Sequence, residues 1–338
     1  MSTLLGVVIS VLPVFLFLGA LVVIDSYKLV AFRAVLVTVM AGVAAAAASY
    51  VVNVVLRPAL GLELLPYARY VAPVIEESFK ATFISYLLSR SRIGFVVDAA
   101  IYGFAVGTGF AFLENLYYLL VNPGAGVWTW VVRGFGTAMM HGGATAIFAM
   151  GARTLHLRVR ELSLLLLIPG FAAAVLLHSL YNHFLLQPLI ATGLILLVFP
   201  WVAVAVFQHS ERDTRNWLGT GFDTDQELLR AVRSGNVSAT PVGTYLTTVR
   251  EHFPPEGIVD MLCLLRLRAE LGIRAKGVLL AREVGFETDP DPTLPDKFAE
   301  LRYLERSIGK TGMRALRPFI HTSTQDLWQL NMLDEAKG

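Results

Sequence analysis

The sequence predicts an all-α protein: a polytopic membrane helix bundle of about seven transmembrane helices, followed by a small α-helical soluble C-terminal domain. Of its 338 residues, 55% are apolar and 16% are charged, whereas an average soluble domain has roughly 25% charged residues. Several apolar runs exceed the length of about 18 residues that marks a candidate transmembrane helix. Charged residues become frequent only after residue 207. We therefore expect a membrane domain at residues 1–207 and a separate domain at residues 208–338.

The first two apolar segments are expected to be ordinary lipid-facing spans. Leu4–Ile24 lacks a basic start and a small-residue cleavage site, and a second apolar run follows it closely, so we interpret it as a span and not as a signal peptide. The second span, Leu29–Val52, has Arg33 near its start. A long basic side chain at that position can extend to the membrane interface.

The next four predicted spans differ because ionisable residues lie well inside them, and an uncharged seventh span follows. These five segments are Val71–Leu88, Phe95–Val121, Phe135–Gly151, Leu162–Phe184 and Leu189–Phe207. Small residues let transmembrane helices approach closely. We expect this role for the glycines at 103, 107, 109, 142 and 143.

Basic residues in the short loops predict the orientation, because they are enriched on the cytoplasmic side of a membrane. Seven of them fall on the side of the C-terminal domain and three on the opposite side, which predicts an N-terminus outside and a C-terminus in the cytoplasm. The first group is Lys28, Arg33, Arg90, Arg92, Arg153, Arg158 and Arg160; the second group is Arg57, Arg69 and Arg133.

The C-terminal domain is expected to be helical and cytoplasmic. Ile258, Leu262, Leu265 and Leu279 recur at approximately helical spacing. Residues 208–338 contain 17 basic and 19 acidic residues, a balance that does not indicate a nucleic-acid-binding protein. Cys263 is the single cysteine, which excludes an intrachain disulfide and a zinc site made of several cysteines.

Four charged residues in the predicted spans need compensation within the membrane: Glu76, Glu77, Lys80 and Glu114. A charge at mid-membrane depth costs roughly 2.5–3.5 kcal/mol, so together they represent about 10 kcal/mol of unfavourable insertion. Two histidines and two amides in the same set of spans can provide partners for them. These are His141, His178, Asn115 and Asn182.

The alternating direction of the helices predicts that these side chains lie at one depth. Glu76, Glu114, His141 and His178 each fall about five to seven residues from the outer end of a different span. Carboxylates and imidazoles that reach one layer from four helices are typical of a metal site inside a bundle. Neutral imidazole and carboxylate suit zinc, which keeps a position open for water in catalytic sites. Any one of these histidines or asparagines is equally well explained by a hydrogen bond between helices. That explanation accounts poorly for the whole set of ionisable residues at one depth.

Four motifs along residues 71–184 resemble the PrsW family of intramembrane metalloproteases, a relative of the CAAX prenyl endopeptidase and bacteriocin-immunity superfamily. They are EESFK at 76–80, FAFLEN at 110–115, HGGATAIFAMG at 141–151 and HSLYN at 178–182. The superfamily motif EExxxR is altered here, with lysine one position before the arginine. Its F-x-x-x-H is also altered, with Glu114 in place of histidine. Its H-x-x-x-[ND] is intact from His178 to Asn182.

This resemblance implies an intramembrane metal-dependent endopeptidase of the bacterial cytoplasmic membrane. Its substrate would be a membrane-tethered protein, typically an anti-sigma factor, that is cut near the extracytoplasmic side of the lipid bilayer. We expect a divalent metal, Zn²⁺, as the cofactor. The metal ligands would be Glu114, His141 and His178, although the substitution at Glu114 leaves open that it only contacts a ligand.

The remaining chemistry requires a base and a group that stabilises the oxyanion. Glu76 is assigned as the general base, and Glu77 would orient it or bind the metal in its place; the two roles can be exchanged. Lys80 would balance the charge, and Asn182 would steady the oxyanion or the substrate carbonyl. Asn115 is included as a further site residue next to Glu114.

Two other functions explain some of these features. A proton- or ion-coupled transporter or channel also keeps acids and histidines inside its bundle, but it predicts a relay staggered across the membrane and an inverted repeat. The sequence shows one layer and no repeat. A non-catalytic scaffold or immunity protein of the same fold would tolerate alanine at Glu76, Glu77 and His178.

Overall fold

The computed structural model describes residues 3–158, 163–286, 288–289, 291–320 and 324–335, and within these ranges it contains helices and no β-strand. The chain divides into two compact units, Met1–Ser210 and Glu211–Gly338. Arg160 and the predicted start of the sixth span at Leu162 lie outside the described residues.

In the described part of the first unit, seven long helices begin in the order of the seven predicted spans. They are α1 (Thr3–Ile24), α2 (Phe32–Ala59), α3 (Ala72–Ser89), α4 (Val96–Val121), α5 (Ala138–Arg158), α6 (Leu164–Asn182) and α7 (Pro188–Arg233). Two π-helical turns, Tyr67–Val71 and Val132–Thr137, lead directly into α3 and α5. Turns of this kind often occur at functional sites.

Five helices of the described chain are long and apolar enough to cross a membrane, which supports an integral membrane protein. These segments are Leu4–Ile24, Phe32–Ala59, Val96–Val121, Leu164–Asn182 and Pro188–Gly219. Helices α3 and α5 form where spans are predicted, but they are not among the five. Three charged residues interrupt α3, and polar and glycine residues lower the mean hydropathy of α5. That these two helices also cross the membrane stays a prediction.

Helix α4 lies at the centre of the first unit, and all its residues from Val97 to Phe110 are buried. Gly107 allows α4 to approach α5 closely, because a Cβ atom there would collide with the backbone carbonyl of His141. Gly109 plays the same part against Val39 of α2. The predicted role in close helix packing is thus confirmed for Gly107 and Gly109.

The second unit has a hydrophobic core of its own. It contains the remaining residues of α7 together with α8 (Pro241–Val249), α9 (Pro255–Glu283), α10 (Leu294–Ala315) and α11 (Thr324–Glu335). Helices α9 and α10 supply most of the core, which includes Met261, Leu264, Leu271, Phe298, Leu301 and Leu304. The apolar residues predicted to follow a helical spacing lie in α9. A soluble, cytoplasmic location of this unit stays a prediction.

Candidate active site

Six of the predicted site residues meet in one connected cluster. Helix α3 supplies Glu76, Glu77 and Lys80, while α4, α5 and α6 each supply one residue. These three are Glu114, His141 and His178. The six side chains are linked by hydrogen bonds or ion pairs of 2.7–3.8 Å. The four helices therefore bring together the residues that the sequence analysis placed at one depth.

Three side chains of this cluster form a candidate metal group. Each of the three offers one potential ligand atom, and these atoms lie within 4.8 Å of one another; the residues are Glu76, His141 and His178. The imidazole rings of the two histidines meet edge to face, with centroids 4.7 Å apart, and Oε2 of Glu76 is 3.8 Å from Nε2 of His178. Two imidazoles and one carboxylate form a ligand set found in catalytic zinc sites. The chemistry of this set fits a divalent metal such as zinc.

Glu114, which was predicted from the sequence to be a metal ligand, does not lie in the position of one. Its Oε2 atom is hydrogen-bonded to Nε2 of His141 at 2.9 Å and lies 3.1 Å from Nη2 of Arg133. Glu114 is not part of the group of mutually close ligand atoms, whereas Glu76 is. The geometry therefore favours Glu76 over Glu114 as the carboxylate next to the two histidines.

Glu77 and Lys80 contact the Nδ1 atoms of the two histidines. Oε1 of Glu77 is 2.8 Å from Nδ1 of His178, and Nζ of Lys80 is 2.8 Å from Nδ1 of His141. Lys80 also donates to Oε1 of Glu77 at 2.7 Å, and both side chains are almost completely buried. A metal-bound histidine commonly donates its other ring N–H to a carboxylate, and Glu77 can accept in this way from His178. Here the contacts at Nδ1 leave the Nε2 atoms on the side of Glu76 and Glu114.

The Glu77–Lys80 pair gives a prediction about stability. Lys80→Met is expected to lower the free energy of unfolding by about 3–5 kcal/mol, because the Glu77 carboxylate would remain buried without its cation. The double variant Glu77→Gln, Lys80→Met removes both charges and should recover much of that loss. Unfolding in mixed micelles measures both changes. A Lys80→Met protein as stable as the wild type would show that the pair does not hold this region.

The two predicted asparagines bond outside the metal group. Nδ2 of Asn182 donates to the backbone carbonyl of Ala68 at 2.9 Å, which ties the end of α6 to the π-helical turn before α3. Nδ2 of Asn115 donates to the carbonyl of Ser10 at 2.6 Å, and its Oδ1 accepts from Nε of Arg133 at 2.8 Å. Asn115 is therefore linked to the cluster indirectly, because Arg133 also contacts Glu114.

Three residues of the site were missed by the sequence analysis: Asn53, Tyr67 and Arg133. Nδ2 of Asn53 donates to Oε1 of Glu76 over 3.4 Å, and the Tyr67 hydroxyl donates to Oδ1 of Asn53 at 2.8 Å. Asn53 lies one residue beyond the predicted end of the second span at Val52, in a helix that continues to Ala59. An amide in an otherwise apolar span was the available signal, because such groups are expensive in lipid and need a partner.

These bonds predict that Asn53 positions Glu76. Asn53→Ala is expected to lower the affinity of the site for a divalent metal about 10- to 100-fold in a metal titration, as is usual when a group that orients a metal-site residue is removed. Tyr67→Phe, which leaves the Asn53 amide in place, should have a smaller effect. Ser49→Ala is the matched control, because Ser49 lies one turn earlier on α2 and donates only to the carbonyl of Ala46. Wild-type metal affinity in Asn53→Ala would contradict this role.

The family model for PrsW family intramembrane metalloprotease matches residues 26–207, a range that includes every residue of the cluster. Neither the curated proteins nor the solved structures provided a match.

Proposed function

The chain belongs to the PrsW family of intramembrane metalloproteases, and from this premise we propose that it is a metal-dependent endopeptidase that cleaves a membrane-tethered protein. Membership supports a membrane-embedded peptidase acting on a protein substrate. Cleavage near the extracytoplasmic side and an anti-sigma factor as the substrate belong to the proposal. Zn²⁺ as the metal and the relation to the CAAX prenyl endopeptidase and bacteriocin-immunity superfamily also belong to the proposal. So does a location in the bacterial cytoplasmic membrane, with the N-terminus outside and the C-terminus in the cytoplasm.

The observation that carries the proposal is the group formed by Glu76, His141 and His178. Its ligand atoms are mutually close, and partners on the opposite side of each imidazole orient both rings. The charge of the cluster also favours a cation. Three glutamates face two basic side chains, Lys80 and Arg133, so that the site has a net negative charge when both histidines are neutral.

We assign the metal ligands to Glu76, His141 and His178. A bound divalent metal would polarise a water molecule and the carbonyl of the substrate. Nδ1 of His178 keeps Glu77 as its acceptor. This proposal exchanges the roles that the sequence analysis gave to Glu76 and Glu114.

Glu114 is then the candidate general base. It retains 24% exposure of its side chain, whereas Glu77 is 2% exposed and engaged with Lys80 and His178. A partly exposed carboxylate next to a ligand histidine can accept the proton of an attacking water and later donate it to the amine that leaves. Arg133 fixes the position of this carboxylate by a charged contact at 3.1 Å.

The peptidase explains the cluster better than the two alternatives do. A transporter predicts groups staggered across the membrane, whereas the six clustered side chains form one connected network of hydrogen bonds and ion pairs. A scaffold does not require histidines that are oriented at Nδ1 next to a partly exposed carboxylate. The family match favours an enzyme as well.

The experiment that tests the proposal compares membrane-protein fragments in cells. Cells with the wild-type protein should contain new N-termini from single-pass membrane proteins that are absent from cells with the Glu76→Ala, Glu77→Ala variant. Cells with Ser49→Ala serve as the matched control and should give the wild-type set of fragments. If the wild type and the double variant gave the same set of N-termini, protease function would be contradicted.

A further inference from the structure

Arg133 is held rigidly at the edge of the candidate site. It lies in the π-helical turn that precedes α5, and its side chain is 13% exposed. Nε donates to Oδ1 of Asn115 at 2.8 Å, and the guanidinium lies over the Tyr118 ring, 3.7 Å from its centroid. Because Asn115 and Tyr118 fix the plane of the guanidinium, the directions of its remaining N–H groups are fixed too.

One of these N–H groups lacks an acceptor. Nη2 of Arg133 is buried and has no hydrogen-bond partner among the described residues. It lies 3.1 Å from Oε2 of Glu114, close enough for an ion pair but not aligned for a hydrogen bond. Buried charged donors without an acceptor are costly and rare. At a site that takes a peptide, a donor of this kind can bind an acceptor of the substrate.

Nη2 of Arg133 lies close to the proposed base and to a proposed metal ligand. Oε2 of Glu114 contacts both Nη2 of Arg133 and Nε2 of His141. Arg133 therefore reaches the small region where the proposed base and a proposed ligand meet. Asn182, to which the sequence analysis gave the oxyanion role, donates to the backbone of Ala68.

We propose that Nη2 of Arg133 binds the carbonyl oxygen of the scissile peptide bond and stabilises its negative charge in the tetrahedral intermediate; this inference rests on the proposed function. The water oxygen bonds to the carbonyl carbon, and the water proton passes to the Glu114 carboxylate. The electron pair of the C=O π bond moves to the oxygen that Arg133 holds. When the carbonyl re-forms, the C–N bond breaks and the proton on Glu114 passes to the leaving nitrogen.

Arginine suits this task because its planar guanidinium stays charged and presents donors in fixed directions. Donors that are oriented before the reaction stabilise the developing charge without further reorganisation. The contacts with Asn115 and Tyr118 supply that orientation. Asn115 is accordingly a positioning residue for Arg133.

The test measures kcat, KM and bound metal for Arg133→Gln with a cleaved single-pass substrate. We expect kcat to fall about 100- to 1000-fold, as on removal of one oxyanion donor, with KM and metal content nearly unchanged. Arg133→Lys keeps the charge but lacks the planar donors, and an intermediate loss is expected. Arg57→Gln is the matched control, since it removes one positive charge from a residue outside the cluster, and its kcat should equal that of the wild type.

A second readout separates an oxyanion role from a structural one. A phosphinate peptide with the sequence of the cleaved segment should bind Arg133→Gln more weakly, by about the same factor as the loss in kcat/KM. The affinity for the product peptide should not change. Unaltered phosphinate affinity, or kcat within threefold of the wild type, would overturn the inference. A wild-type protein that cleaves no peptide would instead contradict the proposed function.

Discussion

Glu114→Gln is expected to lower the rate of peptide-bond cleavage about 100-fold or more, while the bound metal stays at the wild-type level. Glutamine keeps the shape of the side chain, but it cannot accept a proton from water. Glu114 lies beside His141 without belonging to the group of mutually close ligand atoms. Metal analysis of the purified variant, together with its turnover of a cleaved substrate, measures both quantities.

The corresponding change at Glu76 should give the opposite result for the metal. Glu76→Gln removes a charged ligand and is expected to reduce the metal content as well as the activity. The assignment made from the sequence, with Glu76 as base and Glu114 as ligand, predicts the reverse pattern. Metal retained in Glu76→Gln and lost in Glu114→Gln would therefore restore that assignment and contradict the present one.

His178→Ala is expected to abolish detectable cleavage and to weaken metal binding by about 100-fold or more. It removes a proposed ligand, which should cost at least as much as the 10- to 100-fold loss typical of changes to groups that orient ligands. It also leaves the buried Glu77 carboxylate without one of its two partners. Metal titration of the purified variant and an assay of cleavage measure the two effects.

The matched control for this variant is His183→Ala. His183 follows α6 directly, its ring contacts Tyr70, and its Nδ1 lies 2.7 Å from the carbonyl of Ser179. Because these contacts lie outside the metal group, the variant should bind metal and cleave substrate normally. Equal losses in His178→Ala and His183→Ala would show that the effect comes from the end of α6 and not from a ligand.

Much of the site was predictable because ionisable residues are conspicuous in apolar segments. Glu76, Glu114, His141 and His178 each interrupt a different hydrophobic run, and their distance from the end of the run indicates a common depth. The structure brings all four together. Depth follows from chain position and helix rise, both of which can be derived from the sequence.

The pairing inside the cluster was not predictable in the same way. Which carboxylate faces which histidine depends on the rotation of each helix about its axis, and packing contacts such as that of Gly107 against α5 determine this rotation. The sequence therefore left the roles of Glu76 and Glu77 open and placed Glu114 among the ligands. The contact of Lys80 with Nδ1 of His141 likewise joins two helices that are far apart in the chain.

Arg133 and Asn53 show a second limit of prediction from the sequence. Arg133 was counted as a loop charge, because it precedes the predicted start of the fifth span. A π-helical turn instead places its side chain against Glu114 and Tyr118. Asn53 lies in a run of valines and alanines, and its bond to Glu76 emerges only when α2 packs against α3. Such contacts between distant segments leave little trace in local sequence patterns.

The central claim is that this membrane protein cleaves peptide bonds in a metal-dependent reaction. Its most direct test uses the purified wild-type protein in lipid vesicles together with a single-pass substrate identified from the cellular fragments. We predict that a chelator abolishes cleavage and that about one equivalent of Zn²⁺ per protein restores it. Cleavage at the wild-type rate by protein shown to be free of metal would contradict the account.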